Sequence, residues 1–583
     1  MKSSKNINNI KELFLKLLPV QIFISVASNL SGLVNGLITG NYLSKDAMVA
    51  LGLIMPLSMI LGALGMIVSC GSGIVCGKFM GKGEAKKVNN VFSTSLIILT
   101  IFGAVLSIAI YSFSDKLAVL FGANGQIIDY TSNYIKGLSY GVIPQLTIPT
   151  CMTFLQMCNK SKVSLMLTIL LAICNACYGL LNVNVFKGGI YGIGVSTSIS
   201  YFSVLVIIQI YLLIKKDLVV FRIKYFESDL ILEILKLGSP ACVANALFSI
   251  RNIFMNYYAL EIQGTSAVNA LTILNSLSFL DSINIGFGAT ITMISSVFVG
   301  ERDSKSLYDL VKVGLLIGEP ISIIRLVLMF LFADKVAMLF GATGEVITQS
   351  AALLSIYTIS APLNIITQII IGENQSLGNI VFCNVLNLVN CILSPLFCCI
   401  VLSKIIGITA LYSAFFISEL FAHLTAVINS AIINKKPVRS FKDLIHIPNN
   451  FEIVDKFSLS INSIDEVCEV SREVQNFCKD KGIDSKRSML AGLCMEEMAG
   501  NVVEHGFEKD NKENTIDIFV AIENDEVTMR LRDNCVPFDP KSKLEMYSND
   551  DPFKNVGIKM VSKISKDMNY QTTFGLNILT IKL

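Results

Sequence analysis

Charge is scarce in this sequence. Only 16% of its 583 residues are Asp, Glu, Lys or Arg, against 53% hydrophobic, and its mean hydropathy is +0.62. Several windows hold no charged residue at all, among them 91–111, 163–186, 188–214 and 380–403. Each is long enough to cross a hydrocarbon core of ~30 Å as a helix, which excludes an ordinary soluble chain. The formal net charge of +3 is too small to speak for nucleic acid as a partner. A metal or disulfide framework is also lacking. Of 15 cysteines most lie inside apolar stretches, as Cys391, Cys398 and Cys399 do, and the one CxxC, Cys174 with Cys177, has no second pair or nearby His. Lys2, Lys5 and Lys11 precede an apolar run with no clear small-residue cleavage site, so this run reads as a first membrane helix and not a secretory signal. Gly77 to Gly83 lacks GxxxxGK[ST] spacing and follows an apolar span instead of a strand, so no Walker-type engine is present there.

What is present is a duplication. Asp115-Lys116-Leu117-Ala118-Val119-Leu120-Phe121-Gly122-Ala123-Asn124-Gly125 returns 219 residues later as Asp334-Lys335-Val336-Ala337-Met338-Leu339-Phe340-Gly341-Ala342-Thr343-Gly344. At nearly the same distance Lys16-Leu17 with Pro19 answers Lys236-Leu237 with Pro240, Asn35 answers Asn256, and Pro144 answers Pro362. So long a period marks two copies of one large unit, not a solenoid. Twelve spans are expected: near 12–38, 47–70, 91–113, 130–155, 163–186 and 190–214 in the first copy, and near 231–259, 266–298, 309–332, 350–371, 380–402 and 405–434 in the second. The organisation is then a first lobe over 1–217, a second over 218–440 and a separate domain over 450–583. Basic residues crowd alternate loops (Lys78, Lys82, Lys86 and Lys87; Lys160 and Lys162; Arg222 and Lys224; Arg302 and Lys305; Lys435, Lys436, Arg439 and Lys442). By the positive-inside bias both termini are cytoplasmic.

Polar groups inside the spans need a reason, because a charge at mid-bilayer costs about 2.5–3.5 kcal/mol on insertion scales. Glu419 and His423 lie four apart, on one helical face, where they would share a proton or form a structural pair. Arg251 and Asp281 stand on adjacent spans and would pair across them. Asn35 and Asn256 would either line a cavity or bond between helices.

The Gly-Lys-rich loop Gly77-Lys78-Phe79-Met80-Gly81-Lys82-Gly83-Glu84, the duplicated Leu-Phe-Gly-Ala turn, Gly189-Ile190-Tyr191-Gly192-Ile193-Gly194 opening the sixth span, and the six-plus-six duplication together resemble the multidrug and toxic compound extrusion (MATE) family over roughly 10–435. The resemblance implies a polytopic α-helical membrane protein with two six-helix lobes around a central cavity. It also implies export of small organic, often cationic, compounds from a bacterial-type inner membrane, driven by Na⁺ or H⁺. The sequence departs from the family where coupling acids stand. Asn35 replaces an aspartate common in the first span, and Gly179 stands four residues after Asn175, where a second aspartate is frequent.

From Phe451 the texture becomes soluble α+β. Apolar residues at helical spacing run over 488–506, and 527–532 and 577–583 alternate as strands. Glu497 and Asn501, four apart, project from one helical face, a carboxylate beside an amide as nucleotide chemistry uses them. The order Glu497…Asn501, Asp533-Asn534-Cys535-Val536-Pro537-Phe538-Asp539-Pro540, then Asn555-Val556-Gly557 resembles the GHKL (Bergerat-type, histidine kinase-like) ATPases, and among them the anti-sigma-factor serine kinases, over about 455–583. The resemblance implies ATP and Mg²⁺ as ligands, with Glu497 the catalytic base, Asn501 the magnesium ligand, Asp533 the acceptor for the adenine amino group and Gly557 part of the phosphate loop. Cys535 and Asn555 stand where that family has glycines. Two functions follow as expectations: a cation-coupled exporter with a regulatory or signalling ATP-binding domain, or a membrane-tethered serine kinase acting on an anti-sigma-antagonist-like protein, its helical bundle a sensor.

Overall fold

The structure, a computed structural model, describes residues 4–583 apart from 216–218, 278–280, 341, 449–450, 452–454, 508–513, 538 and 541–555, and only the backbone of 4–6, 27–33 and 85. Two helical runs succeed one another in matching order. The first comprises α1 (Ser4–Tyr42), α2 (Lys45–Leu53), α3 (Met55–Gly81), α4 (Ala85–Ser112), α5 (Ser114–Leu120), α6 (Gln126–Ser139), α7 (Val142–Met157), α8 (Ser161–Leu181) and α9 (Gly189–Ile214). The second comprises α10 (Asp229–Gln263), α11 (Thr265–Ser276), α12 (Ser282–Glu301), α13 (Ser304–Leu339), α14 (Glu345–Leu377), α15 (Ile380–Leu388), α16 (Ser394–Phe397), α17 (Ser403–Ile406) and α18 (Ile408–Asn434). Helices α15 to α17 are joined through π turns into one run.

The repeated eleven-residue stretch is a helix stop. In the first copy the Ala123 amide donates to Ala118 O and the Gly122 amide to Val119 O, with Gly122 at φ +94°. That is the reverse turn with which glycine closes helices. In the second copy the Ala342 amide donates to Ala337 O in the same way, while Gly341 lies outside the described residues. Gly125 and Gly344, at φ 55° and 57° with ψ near −130°, then start the next helices. An L side chain is strained in that region, which accounts for the identical letter in both copies.

Among the described residues ten helical runs are long and apolar enough to cross a membrane. The runs at the first and fourth expected positions are not among them. α1 is 39 residues long, but the fourth is broken into α6 and α7 around Tyr140-Gly141. The break accompanies close packing on α9: a Cβ on Gly141 would stand 2.7 Å from Ser198 Cα. Outward faces carry large apolar side chains, among them Ile108, Val206, Leu213, Phe330 and Leu331, as lipid contact requires.

The C-terminal domain contains β1 (Asp455–Ile461), α19 (Asp465–Asp480), α20 (Ser485–Gly506), β2 (Ile516–Glu523), β3 (Glu526–Asp533), α21 (Val556–Ile564), β4 (Asp567–Thr573) and β5 (Leu576–Lys582). The strands form one antiparallel sheet in the order β1-β2-β3-β5-β4. Alternation gives the sheet two faces. Ile518, Val520, Met529, Leu531, Leu579 and Ile581 join α19, α20 and α21 in a separate apolar core. The opposite face presents Asp517, Phe519, Arg530 and Arg532, and it sits against the ends of α1, α3 and α12.

Candidate functional site

In the first lobe the two asparagines of the resemblance meet. Asn175 Nδ2 donates to Asn35 Oδ1 at 3.2 Å, Asn35 Nδ2 donates to Thr197 Oγ1 at 3.1 Å, and Thr197 Oγ1 donates to Asn175 Oδ1 at 3.2 Å. The triangle ties α1, α8 and α9 together, and none of its members carries an ionisable proton. Its counterpart Asn256 is half-buried on α10 and joins no such cluster among the described residues. The position of the missing second acid, Gly179, faces α1. A Cβ on Gly179 would come within 2.8 Å of the terminal methyl of Ile38, so a side chain there would have to displace that methyl.

The second lobe holds the acids. Glu419 on α18 is 3% exposed. Its two oxygens accept from Asn364 Nδ2 and Thr367 Oγ1 of α14, each at 2.6 Å. The expected proton sharing with His423 is not what forms. His423 Nδ1 lies 2.7 Å from the Glu419 backbone oxygen and so donates to it. That leaves Nε2 buried without a partner among the described residues, because a side chain four residues on in a helix reaches the preceding carbonyl more readily than the carboxylate beyond it. The expected Arg251–Asp281 pair is likewise replaced. Asp281 takes Arg325 Nη2 at 3.2 Å and the Tyr357 hydroxyl, while Arg251 lies over the rings of Phe248 and Phe415. Phe415 is edge-on to Tyr357, so Arg251 and Asp281 belong to one cluster with the partners exchanged.

Sequence reasoning missed Glu373. It is fully buried near the end of α14, and among the described residues neither carboxylate oxygen has a hydrogen-bond partner within 3.5 Å. Ser295 of α12 is the polar side chain that faces it. Its signal was available, since it is the single acid ending the uncharged stretch 346–372.

In the C-terminal domain the expected residues gather along the last turns of α20. Glu497 and Asn501 share a face, and Asn501 Nδ2 donates to the Glu497 backbone oxygen, leaving the amide oxygen as the atom suited to a metal ion. Gly557 of α21 packs so closely on the Glu497 carboxylate that no Cβ has room there. At the far end of α20, Asp533 Oδ1 accepts from the Cys535 amide at 3.0 Å and from Asn577 Nδ2 at 2.8 Å. Burial, opposed by these donors, raises its pKa above the ordinary carboxylate value. Cys535 turns its side chain onto Gly506, where an added Cβ would lie 3.0 Å from Cys535 Cβ. Its thiol is pushed up to about 12 by burial and by Asp533, so it brings bulk but no charge. These residues fit a nucleotide: an acceptor for an amino group, an amide for Mg²⁺ and a carboxylate beside a bare glycine. Asn555 lies outside the described residues.

The family model described as MatE matches residues 21–181 and again 240–400. One described as a histidine kinase-like ATPase domain matches 462–583. The chain is 24% identical over 378 residues to the probable multidrug resistance protein YoeA of Bacillus subtilis (strain 168), covering 62% of this chain and 81% of that protein. It is 21% identical over 358 residues to the multidrug export protein MepA of Staphylococcus aureus (strain MW2), covering 61% and 79%. Among solved structures, a MOP superfamily transporter from Pyrococcus furiosus superimposes with TM-score 0.67 at 19% identity, over 74% of this chain and 99% of that one. An outward-facing multidrug resistance MATE family transporter does so with TM-score 0.67 at 20% identity, over 71% and 94%. At these identities the superpositions bear on the fold.

Proposed function

The chain belongs to the MatE family and carries a histidine kinase-like ATPase domain, and from that premise we propose that it is a cation-coupled antiporter exporting small organic compounds. In this reading twelve spans form two six-helix lobes in a bacterial-type inner membrane, with both termini cytoplasmic. The observation that carries it is Glu419, a carboxylate buried between α14 and α18 and oriented by two neutral donors. Such a group exchanges a proton or Na⁺ for an organic cation, because low-dielectric walls penalise its bare charge. The amide triangle of Asn35, Asn175 and Thr197 cannot release a proton, which favours coupling in the second lobe, where Glu373 of α14 is a second buried acid. Two relatives that bear multidrug names support an organic cargo.

The test is efflux of a fluorescent cation from proteoliposomes under an imposed H⁺ or Na⁺ gradient. Wild type should respond to one gradient. Glu419→Gln should lower flux at least about tenfold, and Asn35→Ala should leave the ion dependence intact. Absence of gradient-dependent flux in wild type would overturn the antiporter reading.

The C-terminal domain, of GHKL class in this reading, binds Mg·ATP with Asn501 at the metal, Asp533 at the adenine amino group and Gly557 at the phosphates, and it regulates the transporter. When bound, the nucleotide supplies binding energy and a transferable phosphoryl group; Glu497 stands where a hydroxyl would be deprotonated. A second reading, a membrane-tethered serine kinase with an anti-sigma-antagonist-like partner, is favoured by that same proton-free triangle. It requires phosphorylation of a partner serine that Glu497→Ala abolishes.

A further inference from the structure

We propose that the C-terminal domain is a latch: one rigid sheet bonded to both lobes at the same end, holding them together there, with its nucleotide pocket as the release. On the second lobe, Arg530 and Arg532 of β3 both point at Glu301, the last residue of α12. Arg532 Nη1 lies 3.0 Å and Arg530 Nη1 3.8 Å from Glu301 Oε2. Arg302 adds a pair with Glu523 at 2.6 Å. On the first lobe, Asn9 of α1 bonds Thr515 at 2.8 Å and Asp517 at 3.3 Å, and Lys16 Nζ donates to Phe574 O at 3.0 Å. Asn569 and Gln571 of β4 donate to the backbone of Gly83 and Met80. Phe574, at the tip of the β4–β5 hairpin, is 3% exposed and packs into the apolar core of the lobes. A cavity beside it is lined by Leu13 of one lobe and by Ile294, Val297 and Phe298 of the other, so the hairpin occupies the seam.

The lobes also meet directly at this end, where Gly77 and Gly81 of α3 leave no room for a Cβ against Ser296 and Val297 of α12. Alternating access requires the lobes to part at each end in turn, and a sheet bonded to both opposes parting here. Two features make the closed contact releasable. Among the described residues Glu301 Oε1 and Arg530 Nε are buried without hydrogen-bond partners, and a half-satisfied polar cluster is less stable than a complete one. Phe574 also sits at φ 56°, a conformation a bulky residue adopts only at a cost. The release lies one residue away. Asp533 follows Arg532 on β3, and Asn577, which holds Asp533, is three residues from Phe574. This control step rests on the ATP-binding reading above; the mechanical latch does not.

Hydrogen exchange of the full-length protein in lipid nanodiscs tests both, read at 78–83 and 155–159 on the first lobe and at 298–303 on the second. Glu301→Gln, which keeps shape and removes charge, should speed exchange about tenfold at all three together, and Phe574→Ala should do the same through packing. Acceleration confined to 298–303 in Glu301→Gln, with 78–83 and 155–159 still protected, would overturn the latch. Saturating Mg·AMP-PNP should change exchange on both lobes in wild type and not in Asp533→Asn. Bound nucleotide, detected by calorimetry, with no change on either lobe would overturn the release. No bound nucleotide would remove the ATP-binding reading and the release with it, while the Glu301→Gln result still decides the latch.

Discussion

Asp533 shows how a single residue sets stability against binding. Its carboxylate is 6% exposed, and burial outweighs the Asn577 and Cys535 donors to raise its pKa above 3.8. A raised folded-state value means that the folded domain holds the proton more tightly than the unfolded chain. The stability this confers is complete below the unfolded value and is lost as pH rises through the folded one. At neutral pH the charge is therefore a cost, and the acceptor it provides is the compensation. Asp533→Asn should raise the thermal midpoint of the C-terminal domain at pH 7 and weaken Mg·ATP binding by about tenfold or more, the range for a hydrogen bond to a charged group. Unchanged affinity in titration calorimetry would show that the adenine amino group is not read at this position. The residue scale also marks what spacing does not reveal. Glu497 and Asn501 were readable because they are four apart on one helix. Arg325 as the partner of Asp281 was not, because it depends on which helices are neighbours.

At the scale of elements, local hydrogen bonding made much of the fold readable. The duplicated stretch closes α5 and α13 with bonds that span five residues or fewer, so its letters alone carry the turn. The stretches 488–506, 527–532 and 577–583 became α20, β3 and β5. The expected span at 130–155 became two helices because Gly141 admits α9, a tertiary demand on a local run. Backbone conformation, not space, fixes Gly125, since nothing lies within 4 Å of a Cβ there while φ is +55°. Gly125→Ala should therefore cost about 1–3 kcal/mol. Gly62→Ala, with equally open space but ordinary helical backbone, should be neutral or stabilising by about 1 kcal/mol. Thermal midpoints in one detergent compare the two, and equal effects would contradict the backbone account.

On the scale of the molecule the described residues form four apolar clusters, two of them in the second lobe, and the other two face each other across the domain junction. One runs through the helical lobes and takes in Phe574, and the other lies between the sheet and α19, α20 and α21. Their junction is mostly polar, resting on Glu301, Arg530, Arg532, Asn9 and Asp517. Separate cores joined by a polar seam should unfold separately. A calorimetric scan of the full chain is expected to resolve two transitions, with Glu301→Gln leaving the later one in place; a single cooperative transition would contradict this. The strand at 527–532 alternates like one with a solvent face, yet Arg530 and Arg532 on that face are buried, at 8% and 7% exposed.

Hydropathy, the doubled period, the helix stops and the order Glu497, Asn501, Asp533, Gly557 were settled by the sequence alone, because each depends on composition or on residues near one another along the chain. The tertiary structure alone decided that Asn35 is occupied by Asn175 and Thr197, that Glu373 is buried against Ser295 of α12, and that the arginines of β3 find Glu301 more than two hundred residues away. Such partnerships depend on which surfaces folding brings together, and a charge or amide carries no mark of its distant partner until both leave water.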